Sequence, residues 1–451
     1  MDNALLPMEL IERYDRPGPR YTSYPPVPAW STSYGATDHA SALRGIGLRD
    51  TLALYVHFPF CAVKCLYCGC NMTVTRRAET VDRYLDALER EVAMQQALLG
   101  GRRTVTQMHW GGGTPNYLSE SQLWRAFSCF EQRFDIAPDA ELSVEADPRQ
   151  TSRAQLAALR AMGFTRISFG VQDVDPDVQE VIGRRQPLAL VQDAFESARA
   201  VGFAGLNVDV IYGLPLQTPA RFIRTLTSVA DLQPDRIACF GYAHVPWMRP
   251  HQRAIDSALL PQAPERFALF RLAVSVFEGN GYQWIGLDHF AQRADPLAEA
   301  QRAGKLHRNF MGYTVMPADH LLAFGMSGIS EVGRSYAQSA ASISEWHAAV
   351  DGGALPIVRG LSLSDDDLQR RDVIMRLMCD LELSLEGLES SMPGTWGRLQ
   401  PLENDGLVTL KNGMLRVLPV GRYFLRNICM AFDAYLPASG SGEAPRYSRA
   451  V

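Results

Sequence analysis

The chain has 451 residues, 47% of them hydrophobic and 21% charged, with a formal net charge of −5. That length suits one large α/β barrel with a companion unit, or about three domains of about 150 residues each. The acidic balance argues against a broad nucleic-acid surface and leaves local arginine clusters as the means of holding an acidic ligand.

The first residues, MDNALLPMELIERYDRPGPRY, lack the basic start and long apolar run of a signal peptide. No apolar stretch approaches the ~18 residues of a membrane span. A cytoplasmic location, no membrane span and a monomer are expected. Strand-like runs then recur at 52–58, 104–110, 141–147, 166–173, 206–213 and 236–244. They are rich in β-branched and aromatic residues and nearly continuous in apolar character, as parallel strands covered on both faces should be. Helical stretches separate them, at 80–99 and about 119–133, 152–162, 188–202, 219–231 and 264–280. In the first, Val81, Tyr84, Leu85, Leu88 and Val92 form a single stripe. Six such units in series predict a partial (β/α) barrel left open on one side.

Near residue 355 the pattern changes. The run 362–383 predicts a helix with Ser364 as N-cap and acids in its first turn. A hairpin is expected over 407–417, turning at Asn412-Gly413, and an amphipathic helix over 421–436. Helices with a small hairpin resemble a winged helix, but residues 360–435 carry 8 basic and 11 acidic side chains, which disfavours DNA. The expected organisation is an N-terminal arm or lid (1–45), the barrel with a substrate-site extension (46–355), a mainly helical, winged-helix-like cap (356–436) and a tail (437–451) whose first part is a flexible linker.

Half of the eight cysteines fall within HFPFCAVKCLYCGCN, as Cys61, Cys65, Cys68 and Cys70. In a reducing compartment, disulfides are a weak reading. A structural zinc could take His57 with Cys61, Cys65 and Cys68. The C-x3-C-x2-C run could instead give three thiolates to a [4Fe–4S] cluster. Cys70 follows Cys68 too closely to reach another corner of a cube, so one iron would stay open to bind a ligand.

Unusual residues gather just after each strand, where barrel enzymes build their sites. The thiols follow the first strand, Gly111-Gly112-Gly113-Thr114-Pro115 the second, Glu145 ends the third and Gln172 follows the fourth; Asp209 and Tyr212 close the fifth, and Tyr242, Ala243 and His244 the sixth. The glycine run lacks the features of a P-loop or dinucleotide fingerprint, leaving either a tight turn or a backbone that a ligand approaches closely. Glu145 and Asp209 are read as ligand-binding acids or as partners of Arg166 or Arg184, with Asp147 the better candidate for a cap. Cys129, Cys239, Cys379 and Cys429 read as small buried hydrophobes, and His109 as a structural histidine.

These residues resemble the radical S-adenosylmethionine enzymes, which carry C-x3-C-x2-C after the first barrel strand and a glycine segment after the second. Within them, GPRYTSYP, CGCN, HWGGGTP, FGVQD, IYGLP, LDHFA, LHRNFMGY and GRYFLRNICMAFDAYL resemble the oxygen-independent coproporphyrinogen III oxidases nearly end to end. The competing haem-chaperone branch shares the three cysteines but typically lacks the PRYTSYP arm and the CGCN continuation.

The resemblance implies that Cys61, Cys65 and Cys68 hold the cluster. It implies that Tyr55, Tyr67, Gly112 and Glu145 contact a first S-adenosylmethionine, and that Gly113, Thr114, Gln172, Arg184, Asp209, Ala243 and Ile329 contact a second. The implied substrate is coproporphyrinogen III. A 5′-deoxyadenosyl radical would take a hydrogen from a propionate β-carbon; loss of CO2 and one electron would leave a vinyl group, twice, giving protoporphyrinogen IX. An electron donor and an electron acceptor are also implied. Substrate carboxylates require cations, for which Arg20 and Arg308 are the candidates, with Tyr21 and Tyr24 in the arm that folds over the site.

Overall fold

Apolar runs flanked by capped helices give the chain a parallel α/β core. A computed structural model of the chain describes residues 8–436 and 447–450. Its first six long strands are β1 (Leu52–Phe58), β2 (Thr104–Gly112), β3 (Asp135–Ala146), β4 (Arg166–Gln172), β5 (Gly205–Tyr212) and β6 (Arg236–Gly241). Each pairs in parallel with the next. Between them run α1 (Ala78–Leu99), α2 (Glu120–Glu131), α3 (Arg153–Ala161), α4 (Leu188–Ala200) and α5 (Pro219–Asp231), and α6 (Ala263–Gly279) follows β6. Ser119, Ser152 and Thr218 cap α2, α3 and α5 by accepting the N3 backbone N–H, each such cap contributing about 1 kcal/mol. The large core lies between sheet and helices, with Phe58, Trp110, Phe130, Phe164 and Phe324 fully buried.

The sheet is larger than six units. It adds β7 (Tyr282–Gly286), β8 (His289–Gln292), β9 (His320–Phe324), β10 (Ile329–Val332), β11 (Ser335–Ser339) and β12 (Ile357–Ser362). The spatial order is β12-β11-β10-β9-β1-β2-β3-β4-β5-β6-β8-β7. β9 pairs in parallel with β1, so the parallel part has a seventh strand, and antiparallel strands extend both edges. A short hairpin, His307–Asn309 with Gly312–Thr314, faces the barrel interior, where Gln107 Nε2 donates to Thr314 Oγ1 at 3.2 Å.

In the C-terminal part, α7 (Asp365–Asp380) starts at Ser364, whose Oγ accepts the Asp367 N–H at 3.1 Å. A three-stranded antiparallel sheet follows, β13 (Glu382–Ser384), β14 (Val408–Lys411) and β15 (Met414–Val417), with α8 (Thr395–Asn404) between its first two strands in sequence. The hairpin turns at Asn412 and Gly413, both left-handed at φ 54° and 71°, as a two-residue type I′ loop requires. The expected helix over 421–436 is broken. Gly421–Phe424 forms a 3-10 turn and α9 spans only Leu425–Met430. Beyond it the backbone is drawn to other partners: Asp433 accepts the Tyr21 hydroxyl at 2.9 Å and Ala434 N–H donates to the Tyr24 hydroxyl at 2.9 Å.

The described part of the arm, from Met8 onward, packs against the C-terminal part. Leu10, Ile11, Tyr14, Tyr21 and Tyr24 are buried in the same cluster as Leu377, Phe424 and Ile428. It also pairs with the far end of the chain: Gly18 N–H donates to Ser448 O at 3.1 Å and Ala450 N–H to Arg16 O at 2.9 Å. The linker reading over 437–445 lies outside the described residues.

Candidate active site

The C-terminal ends of the parallel strands open into a cavity of about 730 Å³. Cys61, Cys65 and Cys68 line it, with Tyr67, Gly112, Gly113, Thr114, Glu145, Gln172, Arg184, Asp209 and Ala243. Strand ends far apart in sequence thus deliver their polar residues to one space, as expected for this face of a barrel. Cys70 and Arg20 line it too.

The cysteine loop is fastened from several sides. Cys61 Sγ lies 3.3 Å from Thr114 Oγ1. Arg184 Nη1 and Arg149 Nη2 point at Cys65 Sγ from 3.6 and 3.7 Å. His251 Nε2 reaches Cys68 O at 2.8 Å, and Gln252 Nε2 donates to Tyr67 O at 2.9 Å. The thiol of Cys70, hydrogen-bonded to Cys68, brings Cys68 down to about 6, with its backbone N–H, Arg184 and Arg249 adding to the effect. Cys61 is pushed up to about 12 by burial. The loop therefore offers sulfur with cations at its back, the donor set an iron–sulfur cluster needs.

His57 is not placed as a fourth ligand. Its Nε2 lies 2.8 Å from Asn71 O and its Nδ1 3.1 Å from the Tyr55 hydroxyl. The carbonyl fixes the proton on Nε2, so the tyrosine donates to Nδ1, and burial keeps the ring below its ordinary pKa. Among the described residues no three His, Cys, Asp or Glu side chains converge on one ion. Cys61, Cys65 and Cys68 instead line one wide cavity.

The glycine run meets its steric demands within the protein. Gly112 has φ 115°, and a Cβ there would stand 2.6 Å from the His57 ring; one on Gly113 would stand 2.7 Å from the Pro59 backbone. Gly113 N–H donates to Phe58 O at 2.7 Å, and Pro115 begins a 3-10 turn. The tight-turn reading is the one the contacts support, and the turn still borders the cavity.

Two acids face this space in different states. Burial pushes Glu145 upward, but His109 Nε2 at 3.4 Å and the Gly112 N–H at 3.1 Å hold it below the ordinary carboxylate range. Asp209 is raised to about 7 by burial and the nearby Glu145 charge, despite the Ser168 hydroxyl donating to it at 3.1 Å. An ionised and a near-neutral carboxyl thus share one cavity wall. His109 also contacts Ser143 Oγ at 2.7 Å, which matches a structural histidine that orients Glu145. Neither acid pairs with Arg166 or Arg184: Arg166 binds Glu141 and Asp295, and Arg184 binds Asp147. Asp147 caps its 3-10 turn by accepting the Arg149 N–H at 2.9 Å. Cys129, Cys239, Cys379 and Cys429 are buried, as the small-hydrophobe reading expects.

Some expected residues stand elsewhere. Tyr55 lies behind the wall, stacked on His109 with ring centroids 6.0 Å apart. Ile329 begins β10 on the other side of β9 and is buried against Trp30 and Tyr336, away from the cavity lining. Tyr21 is turned to Asp433. Arg308 covers the Tyr313 ring, its Nε and Nη1 unpartnered. Arg149, Arg249, His251 and Gln252, which hold or flank the cysteine loop, are not among the expected site residues; only Arg149 lies close to one, two residues after Asp147.

Comparison with known proteins agrees with this geometry. Residues 55–229 match the Radical SAM superfamily model. The chain is 42% identical to the oxygen-independent coproporphyrinogen III oxidase of Escherichia coli over 437 residues, 95% of each chain. It is 40% identical to the protein of that name from Synechocystis over 456 residues, covering 98% of this chain and 97% of the other. The structure of the Escherichia coli coproporphyrinogen III oxidase, described as a radical SAM enzyme, superposes with a TM-score of 0.89 at 41% identity, covering 92% of this chain and 98% of that one. The chain therefore belongs to the oxygen-independent coproporphyrinogen III oxidases of the radical SAM superfamily.

Proposed function

We propose that this protein converts coproporphyrinogen III to protoporphyrinogen IX by oxidative decarboxylation of two propionates. The observation that carries the reading is that Cys61, Cys65 and Cys68 share one cavity with Glu145, Arg184 and the arm's Arg20. Membership of the radical SAM superfamily implies a [4Fe–4S] cluster and S-adenosylmethionine. When bound, they supply one-electron cleavage of the sulfonium and the radical that takes the propionate hydrogen.

The chain's own residues hold, orient and exclude water. The three cysteines hold the cluster. Glu145, ionised and 3.1 Å from the Gly112 N–H, faces the cavity as a partner for an ammonium group. Tyr67 and Gly112 border the same wall, and Tyr55 fixes His57 behind it. Gly113, Thr114, Gln172, Arg184, Asp209 and Ala243 border the rest, which supports a second S-adenosylmethionine in the same cavity. Ile329 has no part in that reading.

Arg20 is the cation that the arm brings to the site. Its Nη2 donates to Gly241 O at 3.3 Å and its Nη1 lies 3.5 Å from Asp288. It can pair with a propionate that is not reacting. Tyr21, anchored on Asp433 beside it, fixes the backbone that presents it. Arg308 is a second candidate, since two of its N–H groups lack partners.

The haem-chaperone alternative is not favoured, because the relatives matched over nearly the whole chain carry the oxidase name. The test is anaerobic incubation of reconstituted protein with coproporphyrinogen III, S-adenosylmethionine and a strong reductant, read by mass spectrometry. Protoporphyrinogen together with 5′-deoxyadenosine is expected. Deoxyadenosine without the vinyl product would remove the substrate assignment.

A further inference from the structure

Beside the main cavity lies a smaller one of about 60 Å³. Arg20 and Gly241 line both. No cysteine and no residue of the glycine run borders the smaller one. Its charged wall comes from four places in the chain: Arg20 of the arm, Asp288 in the turn between β7 and β8, and Arg422 and Arg426 around the start of α9, with Ala450 of the tail beside them. The volume has room for about four to six water-sized groups, which suits a carboxylate and the methylenes that carry it.

Three guanidiniums meet one carboxylate here, an excess of two positive charges. Arg166 and Arg236 in the barrel interior are balanced instead, two cations sharing Glu141 and Asp295. Arg20 Nη1 lies 3.5 Å from Asp288, whose other oxygen is 2.8 Å from His289 Nδ1. Burial works to raise Asp288, but His289, Arg20 and Arg308 bring it down to about 2. Arg426 has no carboxylate partner among the described residues. Its Nε donates to Pro19 O at 3.0 Å, Nη1 to Arg449 O at 2.8 Å, and Nη2 to Gly18 O and to Ser448 O. Burial, and then the charge of Arg20, brings it down to about 10. Arg422 lies over the Trp284 ring at 4.2 Å and donates through Nη2 to Trp284 O, and its buried Nε has no partner. Uncompensated buried charge is costly, and an anion of fitting size relieves it.

We infer that this small cavity seats one carboxylate of the substrate, a propionate that is not reacting, between Arg20 and Arg422. The inference rests on the coproporphyrinogen reading above. Arg426 is a positioning residue: its N–H groups are taken by carbonyls of the arm and the tail, so it fixes the backbone that presents Arg20 and adds its charge from behind. The seat lies on the arm side, away from the cysteines, so another propionate of the same molecule is free to face them. A guanidinium pair around one carboxylate also fixes its direction, which a single cation does not.

The test is equilibrium binding of coproporphyrinogen III to reconstituted holoenzyme, anaerobically and without reductant so that nothing turns over, with bound ligand read by absorbance after oxidation. Ala450→Glu offers the cavity a carboxylate of the chain's own, and Ala450→Gln a neutral group of the same size. Kd should rise at least about tenfold in the first and barely in the second. Arg422→Met should raise it by about as much, and Arg422→Lys should recover part of the loss. Protoporphyrinogen IX, which keeps two propionates, should lose affinity in Ala450→Glu and Arg422→Met by the same factor. Equal Kd values in the two Ala450 variants, or an unchanged Kd in Arg422→Met, would overturn the inference. A loss confined to coproporphyrinogen III would also overturn it, since the seated group would then be a reacting propionate. So would a rise in Tm with inorganic phosphate that Arg422→Met abolishes while porphyrinogen binding stays fixed, which would make the cavity a site for a free anion. Wild-type protein that binds coproporphyrinogen III and yields no vinyl product on reduction would count against the proposed reaction and leave the seat standing. Wild-type protein that does not bind it would overturn the substrate reading and the seat with it.

Discussion

The Arg184 guanidinium donates through Nη1 to Cys65 Sγ at 3.6 Å. The same nitrogen lies 3.2 Å from Asp147 Oδ2, and Nη2 donates to Gly170 O at 2.6 Å. One buried cation thus ties the cysteine loop to the ends of β3 and β4. Arg184→Met would leave Gly170 O without this donor and Asp147 with Arg149 alone. Breaking such a buried pair should cost about 3 kcal/mol, read as a lower urea midpoint, and iron retained after reconstitution should fall. An unchanged midpoint and full iron would mean that the guanidinium serves only ligand binding.

Asp209 makes stability depend on pH. Its folded pKa is about 7 against an ordinary 3.8. Between about pH 4 and 7 the folded carboxyl keeps its proton while the unfolded one has lost it, so the slope is negative: stability falls as pH rises, and the penalty is complete above about pH 7. Asp209→Asn removes that penalty. Its stabilising effect at pH 8 should exceed that at pH 5 by about 2–3 kcal/mol, measured by denaturant unfolding. The same gain at both pH values would place Asp209 in the ordinary range.

Cys70 is predicted not to hold iron. Its backbone N–H donates to Cys68 Sγ at 3.4 Å and its thiol hydrogen-bonds the same sulfur, so Cys70 supports a neighbouring ligand rather than adding one. Cys70→Ser keeps the amide. It should reconstitute with the full iron and sulfide content and cluster absorbance of the wild type, whereas Cys65→Ser should not. Loss of iron in the Cys70 variant would make it a ligand.

The first half of the fold was legible because each unit repeats one signal, a continuous apolar run followed by a 3.6-residue stripe. β7 to β12 were not. His289–Gln292 and Ile329–Val332 are four-residue strands with polar residues interleaved, too short for periodicity to separate from loop. β9, HLLAF, is apolar, but no helical stripe follows it to mark a further unit. The helix over 421–436 failed because tertiary partners, Tyr21 and Tyr24, claim Asp433 and Ala434. The grouping of Cys61, Cys65 and Cys68 was legible because one loop carries them, while their spacing alone left a zinc and a cluster both open. Arg249, His251 and Gln252 were not, because only folding brings the segment after β6 against that loop.

Arg20 tests how the arm acts. Deleting residues 1–26 would also remove Leu10, Ile11, Tyr14, Tyr21 and Tyr24 from the C-terminal core, so lost activity would not separate a lid from a scaffold. Arg20→Ala does, because the side chain is 39% exposed and its ion pair with Asp288 is long at 3.5 Å. Such a pair contributes at most about 1 kcal/mol, so Tm should barely move. Losing a charged partner for a propionate should raise KM for coproporphyrinogen III at least about tenfold, the effect of about 1.5–3 kcal/mol for a hydrogen bond to a charged group. Deoxyadenosine formation without substrate should be unaffected if, as proposed, the residue meets the porphyrinogen and not the sulfonium. Arg20→Lys should recover part of the loss, keeping the charge but not the fork. An unchanged KM in Arg20→Ala would assign the propionates to other cations, with Arg308 and its unpartnered N–H groups next to test.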